Sequence, residues 1–122
     1  MRHIWAAIDF AVILVFVGIG RHVHDHGLNL AGLASTTWPF AAGLCVGCLA
    51  LALSHRSGLS LTDGALVCGV TVLIGMLLRV VSGQGIAAAF VVVALCFLGA
   101  AMIGWRSVRL LARRRRGSRE RA

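Results

Sequence analysis

GALVCGVTVLIGMLLRVV, residues 64–81, is an apolar run whose only charged residue is Arg79. A helix needs about 20 such residues to cross a hydrocarbon core ~30 Å thick, so this stretch predicts a membrane span. Wound at about 100° per residue, it separates into two faces. Gly64, Cys68, Thr71, Gly75 and Arg79 form one narrow stripe, and Leu66, Val70, Leu73, Ile74, Leu77, Val80 and Val81 cover the other side. The stripe is expected to meet protein and the branched side chains to meet lipid.

Three further runs of the same kind lie at 4–20, 36–54 and 86–105. With 59% hydrophobic and only 13% charged residues, the chain is too apolar for a water-soluble core with a polar shell. The expectation is therefore all-α: a polytopic membrane protein, a four-transmembrane-helix bundle over 1–105 followed by a basic tail over 106–122. An N-terminal secretory signal is disfavoured, because Asp9 interrupts the first run and Gly18-Ile19-Gly20-Arg21 ends it without an A-x-A cleavage pattern. The first helix is expected to be retained.

The cationic side chains are all arginines, and eight of them follow the fourth run, from Arg106 to Arg121. Four spans put both termini on one side. That side holds Arg2, Arg56 and the tail, against Arg21 and Arg79 opposite. Positive-inside retention then predicts cytoplasmic termini in a multi-pass protein of the inner cell membrane. The tail is expected to lie on anionic lipid headgroups, each arginine near such a surface gaining on the order of 1 kcal/mol. Retention accounts for the charge run without a nucleic acid, and none is expected as partner.

In the second run Thr36, Pro39, Gly43, Gly47, Ala50 and Ser54 share a face that includes a G-x-x-x-G. Small residues let helix backbones approach closely in lipid, so Gly43, Gly47 and Gly75 are expected to pack helices, either within the chain or between copies. Ser35, Thr36 and Thr37 before Trp38-Pro39 read as a cap with proline in the first turn. Residues 28–34 are then an interfacial segment too short to span. Trp38 is expected at the outer interface and Trp5 and Trp105 at the inner one. Residues 54–63 form the inner loop, and Ser82-Gly83-Gln84-Gly85 a tight outer turn. Cys45 and Cys48 form a C-x-x-C in mid-helix, without the strand and turn of a redox motif, and read as packing residues.

Polar residues in such a chain need a reason. Asp9 lies about one and a half turns into the first helix, where it is either a proton carrier or the partner of Arg2, Arg56 or a backbone donor at the inner rim. Arg79 either snorkels to the headgroups, turns inward toward Asp25, or grips an external anion or lipid phosphate with two hydrogen bonds. His22, His24, Asp25 and His26 are the weak candidates for a metal shell, with nitrogen and oxygen ligands but no second cluster to complete it. The histidines also change charge in the physiological pH range and could sense external pH. The chain has no nucleophile with a base, no phosphate loop and no paired catalytic carboxylates, so enzymatic activity and a cofactor are not expected.

Gly20-Arg21-x-x-His24, Thr37-Trp38-Pro39-Phe40 and Thr71-x-x-x-Gly75-Met76-x-x-Arg79 together resemble the domain-of-unknown-function 3054 family. The resemblance reaches to about Trp105. It implies a small four-helix membrane protein and carries no activity with it. It also gathers Arg21, His24, Trp38, Pro39 and Arg79 near one outer level, with His22 and His26 outside the pattern.

The reading favoured by these features is a small transporter-like or permease-like unit with a polar site formed by Asp9, Arg21, His24, Trp38, Pro39, Thr71 and Arg79. Because four helices rarely enclose a whole pathway, a homodimer is expected. Two alternatives stay open. One is a noncatalytic accessory or scaffold subunit docking on a larger membrane partner through Gly43 and Gly47; the other is a metal- or pH-sensing membrane protein.

Overall fold

The computed structural model describes residues 4–23, 30–84 and 88–121, with the side chains of His22 and Val23 outside that set. Among them every regular element is a helix: α1 (Ile4–Val23), α2 (Leu30–Leu53), α3 (Leu61–Val81) and α4 (Ala88–Arg121). All four are long and apolar enough to cross a membrane. The chain is all-α and compatible with a multi-pass membrane protein. Below, the loop end is the end that carries the α2–α3 loop, and the turn end is the end that carries the α3–α4 turn.

The core runs down the middle of the bundle from Trp5 and Met102 at the loop end to Phe16, Phe40 and Met76 toward the turn end. Glycine sets the α2–α3 spacing. A Cβ built on Gly43 would stand 2.6 Å from the Thr71 carbonyl oxygen, closer than real Cβ contacts come, whereas one on Gly47 would meet Val67 at an ordinary 3.6 Å. The G-x-x-x-G therefore packs within the chain, and α3 occupies the face that would have joined a second copy or a partner. On α3, Gly64, Cys68, Thr71 and Gly75 are buried, while Leu66, Leu73, Leu77, Val80 and Val81 are exposed. Gly75 leaves room for the Phe40 ring, which a Cβ would approach to 2.9 Å. Phe16 then contacts Phe40, Phe90 and Phe97 with ring centroids 5.5 to 5.9 Å apart.

Three boundaries differ from the sequence reading. First, α2 starts at Leu30, so 30–34 is helical and continuous with the span, and Pro39 lies in its interior. Ser35 does not cap the helix; its hydroxyl donates to the Gly32 carbonyl. Proline cannot donate to the carbonyl four residues back, which would leave the Ser35 oxygen orphaned. Gln84 repairs this, its Nε2 donating to the Ser35 carbonyl at 3.1 Å. Second, α3 starts at Leu61 with Ser60 as N-cap, its hydroxyl accepting from the Asp63 N–H at 3.0 Å, so Asp63 belongs to the helix and not to the loop. Third, α4 continues without a break through the arginines, 34 residues or ~51 Å of helix.

Two helix ends close in the same way. Beyond α2, His55 N–H donates to Ala52 and Arg56 N–H to Leu51; beyond α3, Gly83 N–H donates to Val80 and Gln84 N–H to Arg79. Both are Schellman closures, which need a left-handed residue after the cap. Gly83 (φ 81) meets that need without strain, and His55 (φ 56) is the only described non-glycine residue with positive φ. The second closure carries Gln84 back over the bundle toward Ser35.

Candidate functional site

Polar side chains collect at the two ends of the bundle. At the loop end Asp9 is fully buried and forms a bidentate ion pair with an equally buried Arg106, Nη2 to Oδ2 at 2.7 Å and Nη1 to Oδ1 at 3.1 Å. Trp105 Nε1 also donates to Asp9 Oδ1, at 2.9 Å. Arg106 spends its remaining donors on backbone, Nε to the Gly58 carbonyl at 2.8 Å and Nη1 also to Met102 at 3.0 Å. Its guanidinium lies over the Trp105 ring at 4.5 Å and the Trp5 ring at 5.7 Å. This position depends on two glycines. A Cβ on Gly64 would stand 2.8 Å from Arg106 Cδ, and one on Gly58 (φ +82) would collide with the Trp5 indole.

Gly58 links this pair to a second one. Its N–H donates to Asp63 Oδ2 at 3.0 Å, while Asp63 Oδ1 accepts from Arg56 Nη1 at 3.0 Å. Arg56 thus pairs with Asp63 and not with Asp9. Two carboxylates and two guanidiniums, joined through Gly58, whose N–H serves one pair and whose carbonyl serves the other, fasten the loop across α1, α3 and α4. Beside this network a half-open groove of about 1010 Å³ lies between α1, α2 and the loop, lined by Trp5, Leu49, Ala52, His55 and Arg56.

At the turn end a half-open cavity of about 770 Å³ lies among all four helices. Arg21, Ser35, Thr36, Arg79 and Gln84 line its polar part, and Phe16, Val17, Ala89, Phe90 and Val93 its apolar part. Arg21 Nη1 donates to Thr36 Oγ1 at 2.9 Å, and Arg79 Nη1 donates to Gln84 Oε1 at 3.1 Å. Arg79 Cζ stands 4.5 Å from the centre of the Phe90 ring. Gln84 therefore accepts from Arg79 and donates to the Ser35 carbonyl freed by Pro39, tying α3 to α2. Arg21 ties α1 to the next residue of α2. The arrangement offers cationic donors at a mouth with an aromatic and aliphatic floor.

Of the residues expected to form one site, the cavity brings together Arg21 and Arg79. Trp38 and Pro39 follow Thr36 on α2 without lining it, Trp38 being 43% exposed and Pro39 buried. Thr71 is buried in mid-α3, two turns from Arg79, and its hydroxyl has no hydrogen-bond partner among the described residues. Asp9 lies some 18 Å from Arg21 along α1 and belongs to the other end. His24, Asp25 and His26 lie outside the described residues, as does the side chain of His22. Among the described residues no group of three metal-ligating side chains forms.

The sequence reading left out Gln84, Ser35, Phe16 and Phe90 at one end and Arg106, Gly58 and Asp63 at the other. Two signals were present. A proline inside a span frees a carbonyl that needs a donor, and in an up-down bundle the start of α1 faces the end of α4, where a counter-charge for Asp9 is found.

A family model described as "Protein of unknown function (DUF3054)" matches residues 6–109. That region contains both polar ends and stops within the arginine-rich part of α4. No curated protein and no solved structure matches the chain.

Proposed function

The chain belongs to the DUF3054 family, and we propose that in this member the turn-end cavity is an outward-facing anion-binding site of a small transporter-like membrane unit. One observation carries the proposal: a half-open cavity at the turn end is lined by two guanidiniums above a phenylalanine floor. Arg21 and Arg79 favour a negatively charged ligand, and hydrogen bonds hold both in place, Arg21 to Thr36 of α2 and Arg79 to Gln84 in the turn after α3. The polar groups lining it are two guanidiniums, the Ser35 and Thr36 hydroxyls and the Gln84 amide, a set that favours binding over enzymatic chemistry.

In the same proposal the protein lies in the inner membrane with both termini cytoplasmic. The arginine excess on the loop end supports that orientation, and the helical extension of α4 would carry its arginines to the anionic cytoplasmic surface. A homodimer, if it forms, uses a face other than the buried Gly43 and Gly47 one. The accessory-subunit alternative has the same restriction.

Two measurements test the proposal. A Ser82→Cys thiol should react with a membrane-impermeant maleimide added outside intact cells; labelling only after the cells are opened would reverse the orientation. A native mass spectrum of gently extracted protein should show a retained anionic adduct that the R21Q/R79Q double variant lacks. A stoichiometric foreign subunit with no adduct would replace this reading with the accessory one.

A further inference from the structure

We infer that the arginine-rich extension of α4 docks in the major groove of duplex DNA through contacts to the phosphate backbone. The inference uses no residue of the turn-end site and takes from the reading above only the orientation that puts the extension in the cytoplasm. Charge alone calls for no such partner, because retention accounts for it. The form in which the charge is presented does. α4 runs unbroken to Arg121, and from Leu111 onward every described residue but Gly117 is exposed, so its last turns stand free of the bundle. The family match stops at residue 109, short of the six arginines that follow.

Three properties separate this helix from one that lies on a membrane. Beyond Leu111 it carries no apolar residue larger than alanine, so it has no face to bury among acyl chains. It continues the axis of a span, and spans tilt on average only about 20° from the membrane normal. Its end, ~22 Å beyond the buried Arg106, stands more than two Debye lengths of about 8 Å away from it. Its arginines also face every direction. At about 100° per residue, Arg113, Arg114, Arg115, Arg116, Arg119 and Arg121 leave no arc wider than ~100° without a guanidinium. A flat surface meets one side of such a helix, whereas a groove with phosphates on both walls meets most of it.

Among the described residues no internal partner competes for these charges. Of the four acidic residues in the chain, Asp9 and Asp63 are buried in ion pairs with Arg106 and Arg56, Asp25 follows the turn end of α1 in sequence, and Glu120 belongs to the extension itself. Only Arg116 and Glu120 bring opposite charges to neighbouring positions; Arg113 and Arg116, Arg115 and Arg119, and Arg116 and Arg119 bring like ones, which repel. Rows of phosphates on both sides relieve that repulsion, and guanidinium grips phosphate with two hydrogen bonds. The dimensions match. An α-helix with its side chains is about 10–12 Å across and the B-form major groove about 12 Å wide, whereas that of an RNA duplex is deep and narrow. Asparagine and glutamine, which read adenine, are absent from the extension, and contacts to backbone carry no sequence information.

The test uses the full chain in phosphatidylcholine nanodiscs and a fluorescent DNA duplex of mixed sequence, ~20 base pairs or two helical turns. Fluorescence anisotropy should give a Kd of about 10⁻⁶–10⁻⁴ M at physiological salt, independent of base sequence. With about five phosphates engaged, log K should fall against log salt with a slope near −4.5, roughly several hundred-fold between about 50 and 200 mM. Arg113→Gln, Arg114→Gln and Arg115→Gln, ~100° apart on the helix, should each reduce that slope by about 1. The A112P/G117P double variant keeps every charge and interrupts the helix twice; it should weaken binding at least ~10-fold and leave the thermal melt of the bundle unchanged.

Binding indifferent to the two prolines, or weakened only by arginines on one side, would overturn groove docking. An RNA duplex of the same sequence and length that competes as well as the DNA would overturn the B-form assignment. Displacement of the DNA by phosphatidylglycerol vesicles at equal phosphate concentration, or no DNA binding at all, would return the extension to a membrane-surface and retention role. None of these outcomes touches the anion site, with which the extension shares no residue. Binding in nanodiscs is also independent of orientation, which the Ser82→Cys labelling tests separately.

Discussion

Replacing Asp9 by Asn removes the negative charge from the plug while keeping its shape, and the structure sets the size of the effect. Arg106 is fully buried and makes both of its ionic hydrogen bonds to Asp9. Removing one partner of a buried ion pair costs about 3–5 kcal/mol, because the other charge remains desolvated. Arg106 keeps the Gly58 and Met102 carbonyls and two indole faces, all of which stabilise a cation, so the lower end, about 3 kcal/mol, is expected. The double variant D9L/R106M no longer buries a lone charge, but it strips the Gly58 carbonyl of its donor, an orphan that costs about 1–3 kcal/mol. The double should therefore be clearly more stable than the sum of the D9L and R106M single losses, with a coupling of at least ~2 kcal/mol. Reversible unfolding in mixed maltoside and dodecyl sulfate micelles, followed by tryptophan fluorescence, measures Asp9→Asn and the four proteins of this cycle, since Trp5 and Trp105 flank the pair. An Asp9→Asn loss under ~0.5 kcal/mol, or simple additivity of the two changes, would show that the pair does not act as a buried unit.

The Ser35 carbonyl gives a second cycle. Gln84→Ala should cost about 0.5–1 kcal/mol, the net worth of an exposed hydrogen bond, and less in a Pro39→Ala background, where residue 39 regains the N–H that satisfies that oxygen; an equal cost in both backgrounds in the same unfolding assay would refute the repair. At the left-handed positions, His55→Gly should raise stability by about 1 kcal/mol and Gly83→Val should lower it by at least as much, and a neutral result at both positions would argue against the two Schellman closures. Between α2 and α3, Gly43→Ala should lower the unfolding midpoint by an amount near the 1–3 kcal/mol of overpacking, because its Cβ meets backbone at 2.6 Å. Gly47→Ala, with 3.6 Å to Val67, should change stability little; equal effects would mean that the helices pack in another register.

How far the sequence discloses this molecule depends on the range of the interactions involved. The spans are local properties, and the stripe Gly64, Cys68, Thr71 and Gly75 is legible from helical periodicity because small and large residues segregate on one helix. The start of α2 is not legible locally. Pro39 inside a helix is disfavoured by about 3 kcal/mol, and what offsets part of that is an amide 49 residues away. Arg106 is hidden for a different reason. In composition it is one of the chain's twelve arginines, and only its place one turn after Met102, opposite Asp9, makes it a buried ligand instead of a retention charge. The cavity is the least legible feature, since its phenylalanines read as ordinary core and Gln84 as an ordinary turn residue.

The two ends solve the same physical problem in opposite ways. Each brings arginine close to hydrocarbon, where an uncompensated charge is costly. At the loop end the compensation is internal: a carboxylate, two carbonyls and two indoles surround Arg106, and glycines at 58 and 64 remove the atoms that would obstruct it. At the turn end the described partners of Arg21 and Arg79 include a hydroxyl, an amide oxygen and an aromatic face, and beside them lies open volume. The proposed anion site would use that volume, a bound anion adding its oxygens to guanidinium donors already positioned by Thr36 and Gln84.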